Sequence, residues 1–208
     1  MSGFFYWLIR IDQEPCAVSE NTYLSIFEIM KANFDLQPIL EDNILILRPL
    51  KDEDLDDLHQ VASDPLIWEQ HPSKDRGNRD IFELFFKEGM ESGGAFAVID
   101  KKTARIIGST RFHFVKEASN AVEIGWTFLA REYWGGYYNH AMKRLMMEHA
   151  FQFVDNILFY IHEKNLRSRK AVEKIGGERI TALDGVLLEQ RANASVIYLI
   201  TKKSWEEK

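Results

Sequence analysis

The sequence contains one cysteine, Cys16, among its 208 residues. A single cysteine excludes an internal disulfide and a cysteine-based metal cluster, the two common structural uses of this residue. The chain also lacks a long hydrophobic run: its first apolar stretch, Phe4–Ile9, is far shorter than the ~18 residues of a membrane span. No basic leader precedes that stretch, so a secretory signal is not expected. We therefore expect a cytoplasmic protein with no metal and no membrane partner.

Positive charge is in deficit, with 26 Lys and Arg against 32 Asp and Glu and a formal net charge of −6. Phosphate backbones require basic protein faces, so nucleic acid is not expected as a partner. The same charge is compatible with a cationic amine or a basic peptide as substrate, and equally with an ordinary soluble surface. At 46% hydrophobic and 28% charged residues, the composition is typical of a globular protein with a substantial core.

A length of 208 residues fits one domain with a small appendage. We assign residues 30–208 to that domain and residues 1–29 to an N-terminal extension. Helix-compatible apolar residues (Tyr23, Ile26, Phe27) would let the extension pack on the domain or on a partner. The alternative, which we prefer, is translation from an upstream start codon, with Met30 as the usual first residue.

A glycine turn lies between a predicted strand and a predicted helix. Ala121–Leu129 alternates as a strand does, and Gly135 and Gly136 follow it. The first turn of a helix has unpaired backbone N–H groups and a partial positive charge, so this junction is a candidate anion site. The helix is predicted from apolar residues at three- and four-residue steps: Met142, Leu145, Met146, Ala150 and Phe153.

Alternation within Ala121–Leu129 predicts two opposite faces. One face carries Val122, Ile124, Trp126 and Phe128, and the other carries Ala121, Glu123, Gly125 and Thr127. A second strand, Ile157–Ile161, precedes another predicted helix, for which Asn165 is a suitable N-cap and Gly176 or Gly177 a suitable stop. The order is therefore strand, glycine turn, helix, strand, capped helix.

The rest of the chain adds short strands and two helices. The first helix opens with acidic residues after Lys51 and should end or kink at Asp64-Pro65. The second should turn Ile81, Leu84 and Phe85 inward. The expected strands are Ile44–Leu47, the hairpin Ala95–Ile99 with Arg105–Val115, and a closing pair, Glu178–Thr181 with Ala194–Ile200, whose turn lies near Asp184-Gly185. Together these elements predict an α+β domain around a mixed, mostly antiparallel sheet.

This ordered set of motifs resembles the GNAT superfamily of N-acetyltransferases, in particular its ribosomal-protein-alanine N-acetyltransferase-like (RimJ/RimL-type) branch. The resemblance covers roughly residues 44–199. Its motifs are Leu47-Arg48-Pro49-Leu50, Val122-Glu123-Ile124-Gly125-Trp126, the Trp134-Gly135-Gly136 turn, Asn165-x-x-Ser168 and Glu173-Lys174-Ile175-Gly176. It implies a GNAT-type α/β/α domain with a twisted sheet, acetyl-CoA as co-substrate, and no metal.

The resemblance implies where the donor would bind. Backbone groups of the strand would hold the pantetheine arm at Trp126, Thr127, Phe128 and Leu129. The turn would hold the diphosphate at Trp134, Gly135, Gly136, Tyr137, Tyr138 and Asn139. Tyr137 and Asn139 depart from the family pattern, which places small residues there; a tyrosine costs close approach and flexibility. Lys143 and Arg144 could meet phosphate charge, or could lie on a solvated helix face.

Residues for the chemistry are also implied by the resemblance. Glu123 matches the general base of several family members, although a solvated carboxylate is the alternative; His113 and His162 are alternates on neighbouring strands. Val172 replaces the tyrosine that many members use as general acid. Asn165 would order the cofactor arm, or merely cap its helix. Ser168 would act near the sulfur, or be an ordinary first-turn serine.

The acceptor groove is implied to include Trp68, His71 and Phe85; the alternative is a packed aromatic beside a surface histidine. We predict an acetyl-CoA-dependent N-acetyltransferase in which a neutral amine attacks the thioester directly. The acceptor is a protein N-terminus or a small-molecule amine. An acidic groove (Glu69, Asp75, Asp80) would favour a polycation, and an apolar one a peptide end. The competing hypothesis is a catalytically inactive binding or regulatory module, supported by Tyr137 and Val172. Monomer and homodimer both remain open.

Overall fold

A computed structural model describes residue 28 and residues 31–115, 118, 120–183, 186–188 and 195–207. Cys16, Met30, the extension apart from Glu28, and the turn at Asp184-Gly185 lie outside the described residues. The division into an extension and a domain therefore stays a prediction.

Ten strands and six α-helices lie entirely within the described residues, and residues 28 and 31–33 are also helical. The strands are β1 (Leu40–Glu41), β2 (Leu45–Pro49), β3 (Ala95–Asp100), β4 (Arg105–Phe114), β5 (Ala121–Leu129), β6 (Asn156–His162), β7 (Glu178–Ile180), β8 (Ala182–Leu183), β9 (Val186–Leu187) and β10 (Ser195–Thr201). The helices are α1 (Leu55–Ala62), α2 (Pro65–Trp68), α3 (Arg79–Glu91), α4 (Tyr137–Ala150), α5 (Leu166–Lys174) and α6 (Lys202–Glu206). Short 3-10 helices span Asp52–Asp54 and Arg131–Tyr133.

Eight strands form one sheet in the order β1-β2-β3-β4-β5-β6-β10-β7. Each neighbouring pair is antiparallel except β5 and β6, which run parallel because α4 crosses between them. The predicted α+β class with a mixed, mostly antiparallel sheet is thus confirmed. So is the closing pair, since Ile180 of β7 lies opposite Ile197 of β10. The hairpin of β8 and β9 was not predicted.

Helices cover both faces of the sheet. Buried residues of α4 and α5, among them Met146 and Val172, share one core with apolar residues of β2 to β6 and β10. Helices α1 to α3 bury a second core, with Phe82 and Trp68, against the opposite face of β3 and β5. Strands β5 and β6, which border the gap between them, are therefore held in a sheet that is packed on both faces.

Local sequence signals explain where the first helices begin and end. Asn78 caps α3 by accepting a hydrogen bond from the Asp80 amide at 3.0 Å. Pro65 ends α1 as expected, but it also starts α2, with Asp64 as the N-cap. The prediction that Leu84 points inward is wrong, because its side chain is 65% exposed. The buried stripe of α3 runs instead through Phe82, Phe85, Phe86 and Gly89.

Candidate active site

Strands β5 and β6 pair over only three residues of each strand, and the last pair is Glu123 with Leu158. Beyond that pair the two strands line opposite walls of a cleft of about 850 Å³, through residues 124–129 and 159–162. The strands therefore diverge, and the β5 backbone on this side has no β6 ladder partner. Such amide and carbonyl groups are available to a slender, hydrogen-bonding ligand.

A β-bulge lies in the middle of β5. Trp126 has a positive φ of 51°, and two residues of β5, Trp126 and Thr127, oppose the single residue Thr110 of β4 between the pairs Ser109–Phe128 and Arg111–Gly125. The extra residue inverts the alternation of the strand. The predicted faces are therefore wrong from Trp126 onward. Thr127 faces α4, while Trp126 and Phe128 pack toward the core of α1 to α3.

The turn before α4 is built on two glycines with positive φ, Gly135 at 101° and Gly136 at 110°. A Cβ atom at either position would meet nothing within 4 Å, so the backbone conformation alone requires glycine there. Tyr137 follows as the first residue of α4, has no positive φ, and its side chain is 68% exposed. Gly136 and Tyr137 both line the cleft, so a tyrosine in place of a small residue does not remove the first turn of α4 from the cleft wall.

Trp134 joins the two walls near this turn. Its indole Nε1 donates to the Leu129 carbonyl at 2.9 Å, and the Arg167 guanidinium lies 4.0 Å from the ring centroid. Arg167 also donates to the Ile67 carbonyl at 2.6 Å, and its backbone N–H donates to the Gln70 side chain at 3.0 Å. Helix α5 is thereby tied to α2 across the mouth of the cleft.

Asn165 and Ser168 lie together on the α5 wall. The Asn165 side chain is buried, and its Oδ1 accepts a hydrogen bond from the Ser168 backbone N–H at 3.2 Å. The capping interpretation of Asn165 is thus confirmed, and the cap uses the amide of Ser168 rather than its hydroxyl. Both residues line the cleft, as does the buried Val172 on the next turn.

Glu123 is the last paired residue of β5 before the cleft opens, and it is only 3% exposed. The alternative of a solvated carboxylate is therefore wrong. It lies opposite His113 of β4, and a Cβ atom on Gly125 would come 2.9 Å from its Oε1. The glycine thus leaves the space that the carboxylate occupies. Glu123 itself does not line the cleft.

The predicted acceptor residues separate in the structure. Trp68 is buried, donates to the Ala62 carbonyl at 2.7 Å and packs on Phe128, yet it lines the cleft together with His71. Burial lowers the pKa of His71 to about 4, and the nearby charge of Arg76 adds to this. His71 is therefore neutral at pH 7. Phe85 is buried in the second core and does not line the cleft.

Two arginines beside these aromatic residues were not predicted as site residues. The Arg76 guanidinium lies 4.5 Å from the Phe85 ring centroid and 5.3 Å from that of Trp68. The Arg111 guanidinium lies 5.8 Å from the Phe85 ring centroid and 4.6 Å from that of Trp126. Such stacking holds guanidinium groups over apolar surface. Arg76 lies in a polar loop, and its position in the sequence did not indicate this stacking.

Lys143 and Arg144, which are neighbours in sequence, lie in different environments. Lys143 is 4% exposed and lines the cleft, where Nζ donates to Thr127 Oγ1 at 2.7 Å. Burial lowers its pKa to about 7. Arg144 instead pairs with Asp42 at 2.8 Å and Glu148 at 3.2 Å. The solvated-face interpretation fails for Lys143, and Arg144 already has two carboxylate partners.

Most of the residues predicted to bind donor or acceptor are brought to one cleft. Those that line it are Trp68, His71, Trp126, Thr127, Phe128, Leu129, Trp134, Gly135, Gly136, Tyr137, Asn139, Asn165 and Ser168. Three do not: Glu123, Phe85 and Tyr138, whose hydroxyl donates to Asp100 at 3.0 Å. In the described part of the chain, no helix is long and apolar enough to cross a membrane. The same residues contain no cluster of three or more His, Cys, Asp or Glu side chains suited to a metal ion.

Comparison with known proteins gives a family and a fold. A family model described as an acetyltransferase (GNAT) domain matches residues 45–178. Among curated proteins, none matches the chain. Similar solved structures include a GCN5-related N-acetyltransferase from Brucella melitensis (19% identity, TM-score 0.69, covering 82% of this chain and 81% of that one). An acetyltransferase of the GNAT family from Bacillus anthracis shares 19% identity (TM-score 0.61, covering 80% of this chain and 99% of that one). RimJ of Mycobacterium smegmatis, in complex with CoA-disulfide, shares 15% (TM-score 0.55, 80% and 87%).

Proposed function

Because the chain belongs to the GNAT family of acetyltransferases, we propose that it transfers an acetyl group from acetyl-CoA to a primary amine. The observation that supports this most is the cleft between the diverging strands β5 and β6, which ends at a glycine turn and a helix N-terminus. A long, thin donor with a charged end fits a site of this form. The RimJ-like branch is supported by the Asn165-x-x-Ser168 motif and by the fold shared with RimJ.

The donor would be held by backbone groups at both ends. The β5 groups from Trp126 to Leu129 face the cleft without a β6 ladder partner, so they can hydrogen-bond the amides of a pantetheine arm. Gly135 and Gly136 present the first-turn N–H groups of α4 to the diphosphate, with the helix dipole adding positive charge. Asn165, buried and already accepting through Oδ1, would orient the arm.

The chemistry is direct attack of a neutral amine nitrogen on the thioester carbonyl carbon. The C–N bond forms, the C–S bond breaks, and the nitrogen loses a proton. We assign that proton to Glu123 through an intervening water, because the carboxylate is buried just behind the point where the cleft opens. The departing thiolate takes a proton from the Ser168 hydroxyl, which takes one from solvent in the same step; the helix cap leaves this hydroxyl unused.

Calorimetric titration with acetyl-CoA, on wild type and on Tyr137→Gly, tests the donor site first. Micromolar binding by wild type, followed by thiol release with an amine acceptor, would support the proposal. If neither protein binds although both are folded, the enzyme hypothesis fails. Binding by the glycine variant alone would favour the inactive binding or regulatory module, because Tyr137 would then be what blocks the site. Acetylation assays with a polyamine, an aminoglycoside and a peptide with a free N-terminus would show which class of amine is the acceptor.

A further inference from the structure

The imidazole of His71 is faced by two hydrogen-bond donors. The Ser73 backbone N–H donates to Nδ1 at 3.0 Å, and Arg76 Nη1 lies 3.3 Å from Nε2. A neutral imidazole has one acceptor nitrogen, so it can accept from only one of these groups. With Nδ1 accepting from Ser73, Nε2 carries the proton. Two N–H donors, Nε2 of His71 and Nη1 of Arg76, then point at one another.

This pair of donors lies at the wall of the cleft. Both His71 and Arg76 line it, and Trp68 and Phe85 hold the guanidinium in place by stacking. Among the described residues, neither Arg76 nor Arg111 forms an ion pair within 4.0 Å. Donors that converge without an acceptor between them need an anionic oxygen to satisfy both.

Arg111 adds a second positive charge beside Phe85 and Trp126. Its side chain is 5% exposed, and its buried Nε has no hydrogen-bond partner in the described part of the chain. Burial lowers its pKa to about 10, so it remains charged at neutral pH. The carboxylates of Glu88 and Glu123 raise the pKa of Arg111, which opposes the effect of burial in part. The guanidinium groups of Arg76 and Arg111 thus lie 4.5 Å and 5.8 Å from the Phe85 ring centroid and place two positive charges beside this residue.

We propose that the acceptor is an amine that also carries a carboxylate, which binds between Arg76 Nη1 and His71 Nε2. This inference rests on the proposed acetyl transfer and names its substrate class. The aromatic rings of Trp68 and Trp126 would contact the apolar part of the acceptor. An acidic groove for a polycation is not present at this wall, because Glu69, Asp75 and Asp80 are exposed and do not line the cleft.

The test compares acceptors that differ by one carboxylate. One pair is a free amino acid and its α-amide, and the other is a short peptide with glutamate or glutamine as its second residue. Wild type should show kcat/KM at least tenfold higher for the carboxylate in one pair, which also tells whether the source is a free amino acid or an acidic peptide. Arg76→Gln should remove that preference, so that the ratio of kcat/KM between the carboxylate and amide members of the pair falls to about one.

Lys74→Gln is the matched control, because it removes the same charge from an exposed position two residues away. A second measurement needs no turnover: glutarate should quench tryptophan fluorescence saturably in wild type but not in Arg76→Gln, and glutaramide should do neither. Equal rates for both members of each pair, without Arg76-dependent glutarate binding, would overturn the inference. So would a tenfold loss of acetyl-CoA affinity in Arg76→Gln, since the arginine would then belong to the donor site. Acetyl-CoA binding by wild type separates these failures from failure of the proposed function.

Discussion

The ammonium group of Lys143 donates a hydrogen bond of 2.7 Å to Thr127 Oγ1, joining helix α4 to strand β5 just beyond the bulge. The Thr127 hydroxyl also lies 2.8 Å from that of Thr110, so the two hydroxyl groups remain paired with each other without the lysine. No carboxylate contributes to the environment of Lys143, whose pKa is lowered by burial alone. The lysine is thus a buried cation held by hydroxyl groups.

Replacement of Lys143 by Met should stabilise the fold at pH 7, by on the order of 1–3 kcal/mol, because the cost of burying a charge is removed. The folded pKa of Lys143 is about 7, below the ordinary value of 10.5. Between these values the unfolded chain binds more protons, so burial destabilises fully below pH 7 and the penalty disappears as pH rises toward 10.5. Urea denaturation from pH 7 to 9.5 should therefore show stability rising with pH in wild type and rising less in Lys143→Met. Lys87→Met, at an exposed position, is the control and should keep the wild-type slope.

Gly136→Ala should weaken acetyl-CoA binding at least tenfold. A φ of 110° costs a non-glycine residue of the order of 1–3 kcal/mol, and the relaxation would turn the first N–H groups of α4 away from the cleft. Calorimetry would measure the affinity. A Cβ at this position meets no protein atom within 4 Å, so a clash within the protein is not the cause. Tyr137→Ala, at the next residue, should bind as wild type does; unchanged affinity in Gly136→Ala would contradict the assignment of the turn.

Glu123→Gln should lower kcat by about 10²- to 10⁴-fold, the usual contribution of a general base, and should leave acetyl-CoA affinity unchanged. Gly125→Ala should produce part of that loss by displacing the carboxylate, since the added Cβ would come 2.9 Å from Glu123 Oε1. Steady-state kinetics on both variants, with circular dichroism to confirm folding, provides the check. Full activity in Glu123→Gln would exclude this residue as the base.

Asn165→Ala and Ser168→Ala should separate stability from activity. The Asn165 side chain caps α5, so its loss should cost about 1 kcal/mol of unfolding free energy. The Ser168 hydroxyl takes no part in that cap, because the backbone N–H is the donor. Ser168→Ala should therefore unfold at nearly the wild-type urea concentration but turn over more slowly. A stable and fully active Ser168→Ala enzyme would mean that another group protonates the thiolate.

The sequence was most informative where local pattern and tertiary packing agree. Strand β5 has the predicted bounds, Ala121–Leu129, because its alternating apolar residues specify an extended strand. The divergence of β5 from β6 could not be read from the residues, since it depends on strand pairing. The bulge could not either: its positive φ falls on Trp126, a residue with no special tendency toward that conformation.

The site residues show the same division. Lys143 lies three residues before Met146 and seven before Ala150, on the buried stripe of α4, but its charge suggested a phosphate contact or a solvated helix face. The spacing of Lys143 from Met146 and Ala150 indicated burial, but the charge of its side chain outweighed that indication in the prediction. Arg76 carried no such signal, because its place in the site comes from stacking on Phe85 and Trp68, which only the folded loop brings near. The prediction for Leu84 was wrong because the residue at which α3 begins determines which side chains face the core.

The early end of pairing between β5 and β6 gives the sheet an edge in its interior. Unpaired strand edges at the periphery of a sheet can recruit strands of other molecules and so promote aggregation. Here the part of β5 that is not paired with β6 lies inside a cleft whose walls include α4, α5 and the loop after α2. A neighbouring protein would have to insert a whole strand between these elements to reach them. This interior strand edge is therefore shielded from the strand pairing that promotes self-association.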